Sequence, residues 1–287
     1  MTVSEVDNRR LPQFLAKHPV LAPTVTVEMT TLNAVEWKRP YSVLVRPADP
    51  QNPRASINDE PVLIELLAEK VADYNAMRCS DASIVTSLGA LEEKFGGTRG
   101  REQLLTSVRR LQNTQVFTHY APHGERRPYE GTLFEQVELR PRGELKIQLS
   151  QLLMEQVARR QLLKPPADYF DAKGMRRRIW ALCLAFCGRD RVSWTMPVTE
   201  LWRRSGSTNE LRKFIYMFSR LITANEIPGY RLTMTDGRPQ PVTIEHSAKS
   251  PEQTDTSPER TMPVIYLDLG PEPNPPTKTI VNTIDLF

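Results

Sequence analysis

Two stretches of the chain, 96-GGTRGREQLLTSVRRL-111 and 206-GSTNELRKFIYMFSRL-221, lie 110 residues apart and share one layout: a polar, glycine-bearing turn that opens into an amphipathic segment. At that shift Leu91 falls on Leu201, Gly96 on Gly206, Thr98 on Thr208, Arg110 on Arg220 and Leu111 on Leu221. Leu88, Leu104, Leu105 and Val108 fall on Val198, Phe214, Ile215 and Phe218, so the apolar face stays in register too. An internal repeat constrains a fold more than a single motif does, because each copy has to close the same supersecondary unit. A chain of 287 residues has room for two such domains.

The residues flanking each copy say what the unit is. In the first half Tyr41–Arg46 reads as strand, and Pro61, behind Asn58 and Asp59, opens a helix whose Leu63, Leu66, Leu67, Val71 and Tyr74 recur at helical spacing. Helical patterns cover Ala82–Phe95 and Arg101–Gln112. Strand-like runs follow at Gln115–Tyr120, Thr132–Leu139 and Glu144–Leu149, the first two joined by the basic tip 123-HGERRP-128, and Ser150–Leu162 returns to helix. The second half repeats the order: helix over Gly174–Cys187, strand at Val192–Trp194, helices over Pro197–Arg204 and Asn209–Ala224, then strands Tyr230–Thr235 and Pro241–His246 joined by a turn carrying Arg238. Helix, turn, helix and a strand pair with a charged tip describe a winged helix. The expected fold class is α+β: an irregular Pro-rich arm over residues 1–40, a first winged helix over 41–162, a second over 163–247, and a tail over 248–287. That tail is Pro-rich and acidic, with too little apolar surface to offset its ordering entropy, and is expected to be disordered.

Several chemistries are excluded by spacing. A Walker loop needs G-x-x-x-x-G-K-[ST], so that its lysine reaches the phosphates and its hydroxyl holds magnesium, and neither turn has it. The dinucleotide fingerprint G-x-G-x-x-G is missing as well. His18, His119, His123 and His246 make no H-E-x-x-H pair, and there is no G-x-S-x-G elbow or two-metal carboxylate cluster. Three cysteines without a CxxC pair fit a reducing compartment, and Cys183 and Cys187 read as small hydrophobes in a core helix. No enzyme, metal or cofactor is expected. The longest apolar runs fall short of the ~18 to 20 residues of a spanning helix, and the N-terminal stretch lacks the apolar core of a signal peptide. A cytoplasmic protein without membrane contact is the expectation.

The net charge of +4 conceals a strong asymmetry. Arg159–Lys213 holds thirteen Lys/Arg against five Asp/Glu, whereas Ser250–Phe287 holds two against six. A basic body with an acidic tail points to a polyanionic partner for the body. In the second copy Leu211, Phe214, Ile215, Phe218, Leu221 and Ile222 share one helical face, and Asn209, Arg212, Lys213 and Tyr216 share the other. The N-terminal part of the second helix of a helix-turn-helix enters the major groove, where Arg or Lys pairs with guanine and Asn with adenine. Ser207 or Thr208 is expected to cap this helix, with Arg203 and Arg204 on flanking phosphates. At the same shift the first copy offers Arg99, Glu102, Gln103 and Thr106, so backbone contacts through Arg99, Arg101, Arg109 and Arg110 are expected there. Arg126 and Arg127 at the basic tip, Arg238, and Arg176 and Arg177 complete the candidate DNA contacts. A solvated cluster is the competing reading for the last pair, which with Arg178 begins a helix whose dipole disfavours cations.

The run 168-DYF-170, 177-RRIWALCLAFCG-188, Trp194, 200-ELWRRSGST-208 and 211-LRKF-214, with 104-LLTSVRRLQNTQVFT-118 upstream, resembles the replication initiator protein A family of plasmid initiators. The resemblance spans roughly Val62 to His246 and aligns Arg203–Phe214 with the family's second helix-turn-helix. It implies a protein of two winged helices that binds repeated double-stranded origin sites (iterons), helps open an adjacent AT-rich segment and recruits host replication proteins, the replicative helicase or the host initiator among them. A homodimer when repressing its own promoter and a monomer when initiating is also implied. The competing function is a transcriptional repressor that shares the DNA contacts but opens no origin. Finally, 283-TIDLF-287 is similar to the bacterial sliding-clamp pentapeptide Q-L-x-L-F, with Ile284, Asp285, Leu286 and Phe287 fitting and Thr283 in place of the glutamine.

Overall fold

Leu11, Phe14, Leu15, Val20 and Leu21 are all buried, which the Pro-rich start of the chain gives little hint of. The computed structural model describes residues 7–24, 26, 28–36, 39–77, 81–118, 128–187, 193–235 and 240–247. Within them the expected irregular arm is instead an ordered element of the core. Strand β1 (Leu11–Pro12) leads into a five-residue helix α1 (Gln13–Lys17). The Phe14 N–H donates to the Gln156 side chain at 3.0 Å, and that of Gln13 to the Gln161 carbonyl at 2.9 Å. Strand β2 (Thr30–Glu36) then pairs antiparallel with β3 (Arg39–Pro47), so residues 30–36 are sheet rather than arm. Buried Arg54 ties this segment together through the Val20 carbonyl (2.8 Å) and the Glu28 carbonyl (3.1 Å), and burial pushes its pKa down to about 10.

Helix α2 (Glu60–Asn75) begins with Pro61 in its first turn, where a missing N–H leaves no bond unmade. Of the helical span expected over Ala82–Phe95, the first part is strand β4 (Ser83–Ser87). The β-branched centre of SIVTS suits a pleated edge, and Ser87 then caps α3 (Leu88–Lys94) by accepting the Ala90 N–H at 3.0 Å. Helix α4 (Arg101–Gln112) follows the glycine turn.

Beyond α4 the strands sort differently from expectation. Strands β5 (Thr114–Thr118) and β6 (Tyr129–Thr132) form a hairpin that joins β2 and β3 in a four-stranded sheet of order β2-β3-β5-β6. The expected single strand Thr132–Leu139 is divided at buried Leu133, whose N–H donates to the Thr114 carbonyl and whose carbonyl accepts from Ser150. The chain there passes from one sheet to the next, and β7 (Phe134–Leu139) pairs with β8 (Glu144–Leu149) as the first wing. The turn of that wing is 141-PRG-143, with Arg142 at φ 65°, and not the basic tip at 123–128. Helix α5 (Gln151–Ala158), capped by Ser150, and strand β9 (Leu162–Leu163), which pairs with β1, complete the first half.

In the second half α6 (Gly174–Phe186), strand β10 (Ser193–Pro197), α7 (Val198–Ser205), α8 (Leu211–Thr223), β11 (Tyr230–Met234) and β12 (Pro241–His246) build the second winged helix. Its sheet order, β10-β12-β11, matches β4-β8-β7 of the first. The register matches too, since Ile84 faces Ile147 where Trp194 faces Ile244. One continuous core joins both winged helices and the N-terminal segment. The acidic tail, with its apolar end 283–287, lies outside the described residues.

Candidate nucleic-acid interface

The second helix-turn-helix is held by its apolar side and leaves a basic side open. Phe214 and Phe218 are buried and stacked with ring centroids 5.9 Å apart, and Val198 and Leu201 of α7 are buried in the same core. Helix α7 ends at Gly206, whose φ of 67° is one that glycine adopts without strain. The turn is cross-braced: the Trp202 indole N–H donates to the Asn209 carbonyl at 2.9 Å, and the Asn209 N–H to the Ser207 hydroxyl at 3.3 Å. The residue at the N-cap of α8 is Glu210, so neither Ser207 nor Thr208 caps it. Asn209 accordingly sits half-buried in the turn, ahead of the helix rather than on its face.

Arg212, Lys213 and Tyr216 do stand exposed on α8, Tyr216 with 63% of its surface open. Arg220 lies one turn beyond Tyr216 and is exposed beside them, a cation outside the sequence-based set although its i+4 spacing marks it. Arg203 and Thr208 are exposed at the turn. Arg231, on the second wing, is a further exposed cation that charge counting alone does not single out. Arg238 and the basic-tip residues Arg126 and Arg127 lie outside the described residues.

Several other candidates face inward. Arg204 is buried: its Nε donates to Glu200 at 2.7 Å, and its guanidinium lies 5.1 Å from the Phe186 ring centroid. Arg177 is 2% exposed and donates to the carbonyls of Ile57 (3.1 Å) and Phe170 (2.6 Å), so it belongs to the junction between the halves and not to a DNA face. Burial lowers its pKa, and the same cause pushes neighbouring Arg178 down to about 10. Arg176 is half-buried, its Nε donating to the Glu226 carbonyl at 2.9 Å. Carbonyl acceptors contributed by remote segments are what make this cationic start of a helix tolerable.

The first helix-turn-helix has the same frame and different chemistry. Arg99 donates to the Asn58 carbonyl at 2.8 Å and lies 5.2 Å from the Phe95 ring centroid, Arg101 pairs with Glu92 at 2.9 Å, and Arg110 pairs with Asp59 at 3.2 Å. Arg109 is exposed, but Glu102 and Gln103 occupy the positions that Arg212 and Lys213 hold on α8. The α4 face therefore offers phosphate fewer cations than α8 does. Among the described residues no three His, Cys, Asp or Glu side chains gather as metal ligands, and no helix is long and apolar enough to cross a membrane.

Comparison with known proteins places this architecture. Domains 2 and 3 of RctB superpose with a TM-score of 0.57 at 13% identity, covering 83% of this chain and 99% of that one. Another structure of RctB domains 2-3 gives 0.48 at 11% identity, over 82% and 96%. A "Putative replication protein" of Wigglesworthia glossinidia brevipalpis is 29% identical over 91 residues, which are 31% of this chain and 33% of the relative. The match thus spans a third of that relative's length. The family model of Replication initiator protein A matches residues 14–232, from helix α1 to the second wing, and the chain belongs to that family.

Proposed function

We propose that the chain acts without catalysis, as a sequence-specific DNA-binding initiator that recognises directly repeated double-stranded sites at an origin. The observation that carries this reading is the open basic stripe of Arg212, Lys213, Tyr216 and Arg220 on the second helix of a helix-turn-helix. Arg and Lys at the N-terminal end of such a helix suit guanine edges, and Tyr216 offers both an apolar ring and a hydroxyl. Arg203, at the turn, and Arg109, on the first unit, suit phosphates. Family membership supports the replication role.

Host replication proteins, the helicase or the host initiator, are the partners such a protein recruits. The tail offers 283-TIDLF-287 to the sliding clamp, a short apolar anchor that orders only a few residues on binding. A labelled peptide of residues 275–287 should bind purified clamp and lose binding when Leu286 and Phe287 become alanine; indifference to that change removes the clamp from the proposal.

Footprinting of the purified chain on DNA flanking its coding sequence tests the main reading. Protected direct repeats in phase with the helical turn of about 10–10.5 base pairs are expected. A single protected palindrome would favour a repressor, and absence of sequence-dependent protection would end the proposal.

A further inference from the structure

The N-terminal segment packs on the turn of the second helix-turn-helix, although the whole first winged helix and α6, β10 and α7 separate them in sequence. Arg178 of α6 is fully buried and donates to the carbonyls of Leu15 (2.9 Å), His18 (2.7 Å) and Arg204 (2.6 Å). These carbonyls belong to the C-terminal ends of α1 and α7, where intrahelical donors run out. One planar guanidinium thus serves as a shared end cap for two helices, a task its fork geometry suits and a lysine's point charge does not. The Arg204 guanidinium returns the tie by donating to the Lys17 carbonyl at 3.3 Å. One residue past α7, a Cβ built on Gly206 would stand 3.1 Å from the Pro19 Cβ, so the turn is seated directly on the N-terminal segment.

We infer that residues 13–19, held by Arg178, form a brace that positions the reading helix α8 for base recognition. This rests on the proposal that α8 reads bases. The brace residues themselves need touch no DNA. They fix the end of α7 and the turn from which α8 departs, and base edges demand placement within about 0.5 Å. Nonspecific attraction to phosphates tolerates far looser placement.

The test compares affinity for a duplex that the unaltered chain selects from a randomised pool with affinity for random-sequence duplex, at one salt concentration. Arg178→Lys keeps the charge and three donors but gathers them on one nitrogen, which cannot stand in for both Nη1 and Nη2. Gly206→Asn introduces a side chain against Pro19 through a residue that tolerates positive φ, and Pro19→Gly in that background removes the obstruction. A merely structural role would lower the folded fraction and weaken both duplexes equally. The expected result is a loss of about tenfold or more in the selected-to-random ratio for Arg178→Lys and for Gly206→Asn, with most of it returned by Pro19→Gly. Arg212→Ala runs beside them as a direct test of the reading helix. If Arg212→Ala lowers the ratio while folded Gly206→Asn does not, the brace is overturned and the reading helix stands. If Arg212→Ala leaves the ratio unchanged, both fall. Should Arg178→Lys fail to fold, the Gly206→Asn and Pro19→Gly pair decides alone.

Discussion

Replacing Glu60 with glutamine should stabilise the protein at alkaline pH and leave it unchanged in acid. Glu60 begins α2 in the first half, is fully buried, and accepts the Tyr169 hydroxyl of the segment leading to α6 at 2.5 Å. Burial pushes its pKa up to about 7, against the lowering influence of that hydrogen bond and of Arg177 and Arg178. The fold therefore favours the neutral acid. Its stabilising contribution is complete below the unfolded value of 4.5 and is lost as pH rises through about 7. The difference, roughly 2.5 pH units, corresponds to ~3 kcal/mol. Glutamine mimics the neutral acid, keeps an oxygen for Tyr169, and places its amide where the second carboxyl oxygen makes no hydrogen bond. His18 complicates the pH profile of the unaltered chain. Burial first, and then Arg204, Lys17 and Arg178, hold its pKa well below the usual value, so it destabilises the fold as pH falls below about 6.5. The difference between variant and unaltered chain cancels this effect. Urea unfolding should give equal stabilities near pH 4 and a gain of ~3 kcal/mol for Glu60→Gln near pH 8, or roughly 6–12 °C in Tm. Parallel curves across that range would refute the argument, as would a less stable variant at pH 8.

Arg212→Ala should cost ~1–3 kcal/mol at the selected site and relax base preference there, and an equal loss on random duplex would make Arg212 a phosphate contact. If the basic surface neutralises ~6 to 10 phosphates, affinity should fall ~10³ to 10⁵-fold between 50 and 200 mM salt, which a titration series reads directly. Arg177→Ala should behave in the opposite way. Leaving the Ile57 and Phe170 carbonyls without their donor costs ~1–3 kcal/mol of folding stability, while the salt dependence of DNA binding stays unchanged because the side chain is buried.

The repeat was legible because strand, first helix and second helix begin 110 residues apart, at Ser83 and Ser193, Leu88 and Val198, and Arg101 and Leu211. It breaks after α4: Gln148 and Glu245 hold equivalent places opposite Ser83 and Ser193, and they are only 97 residues apart. The first half inserts the β5-β6 hairpin there, and an alternating hairpin with a basic tip looks like a wing until its partners are known. Those partners, β2 and β3, come from before α2. Helix α1 escaped notice for a related reason. The five residues of α1 carry little periodicity, and what orders them is Gln156 and Arg178, distant in sequence. The burial of Arg177 was equally invisible, because its acceptors are carbonyls, and every residue carries one.

The two helix-turn-helix copies act as internal controls for each other. A helix N-terminus carries partial positive charge, so an exposed cation in the first turn costs ~0.3–1 kcal/mol, and a carboxylate there gains about as much. Helix α4 balances its first residue, Arg101, with Glu102 in the same turn. Helix α8 has no acidic residue in its first turn and exposes Arg212 and Lys213 near its start. Folding does not require that choice, since the same frame forms in the first copy with Glu102 and Gln103 at the equivalent positions. The cations just before the turn fall in a different class. Arg203 and Arg204 lie in the last turn of α7, where a helix end attracts positive charge, and Arg204 is bound within the fold. Their presence is explained before any ligand is considered. Arg212 and Lys213 run against the local electrostatics of the helix that carries them, which is the charge pattern expected of the proposed DNA-reading face.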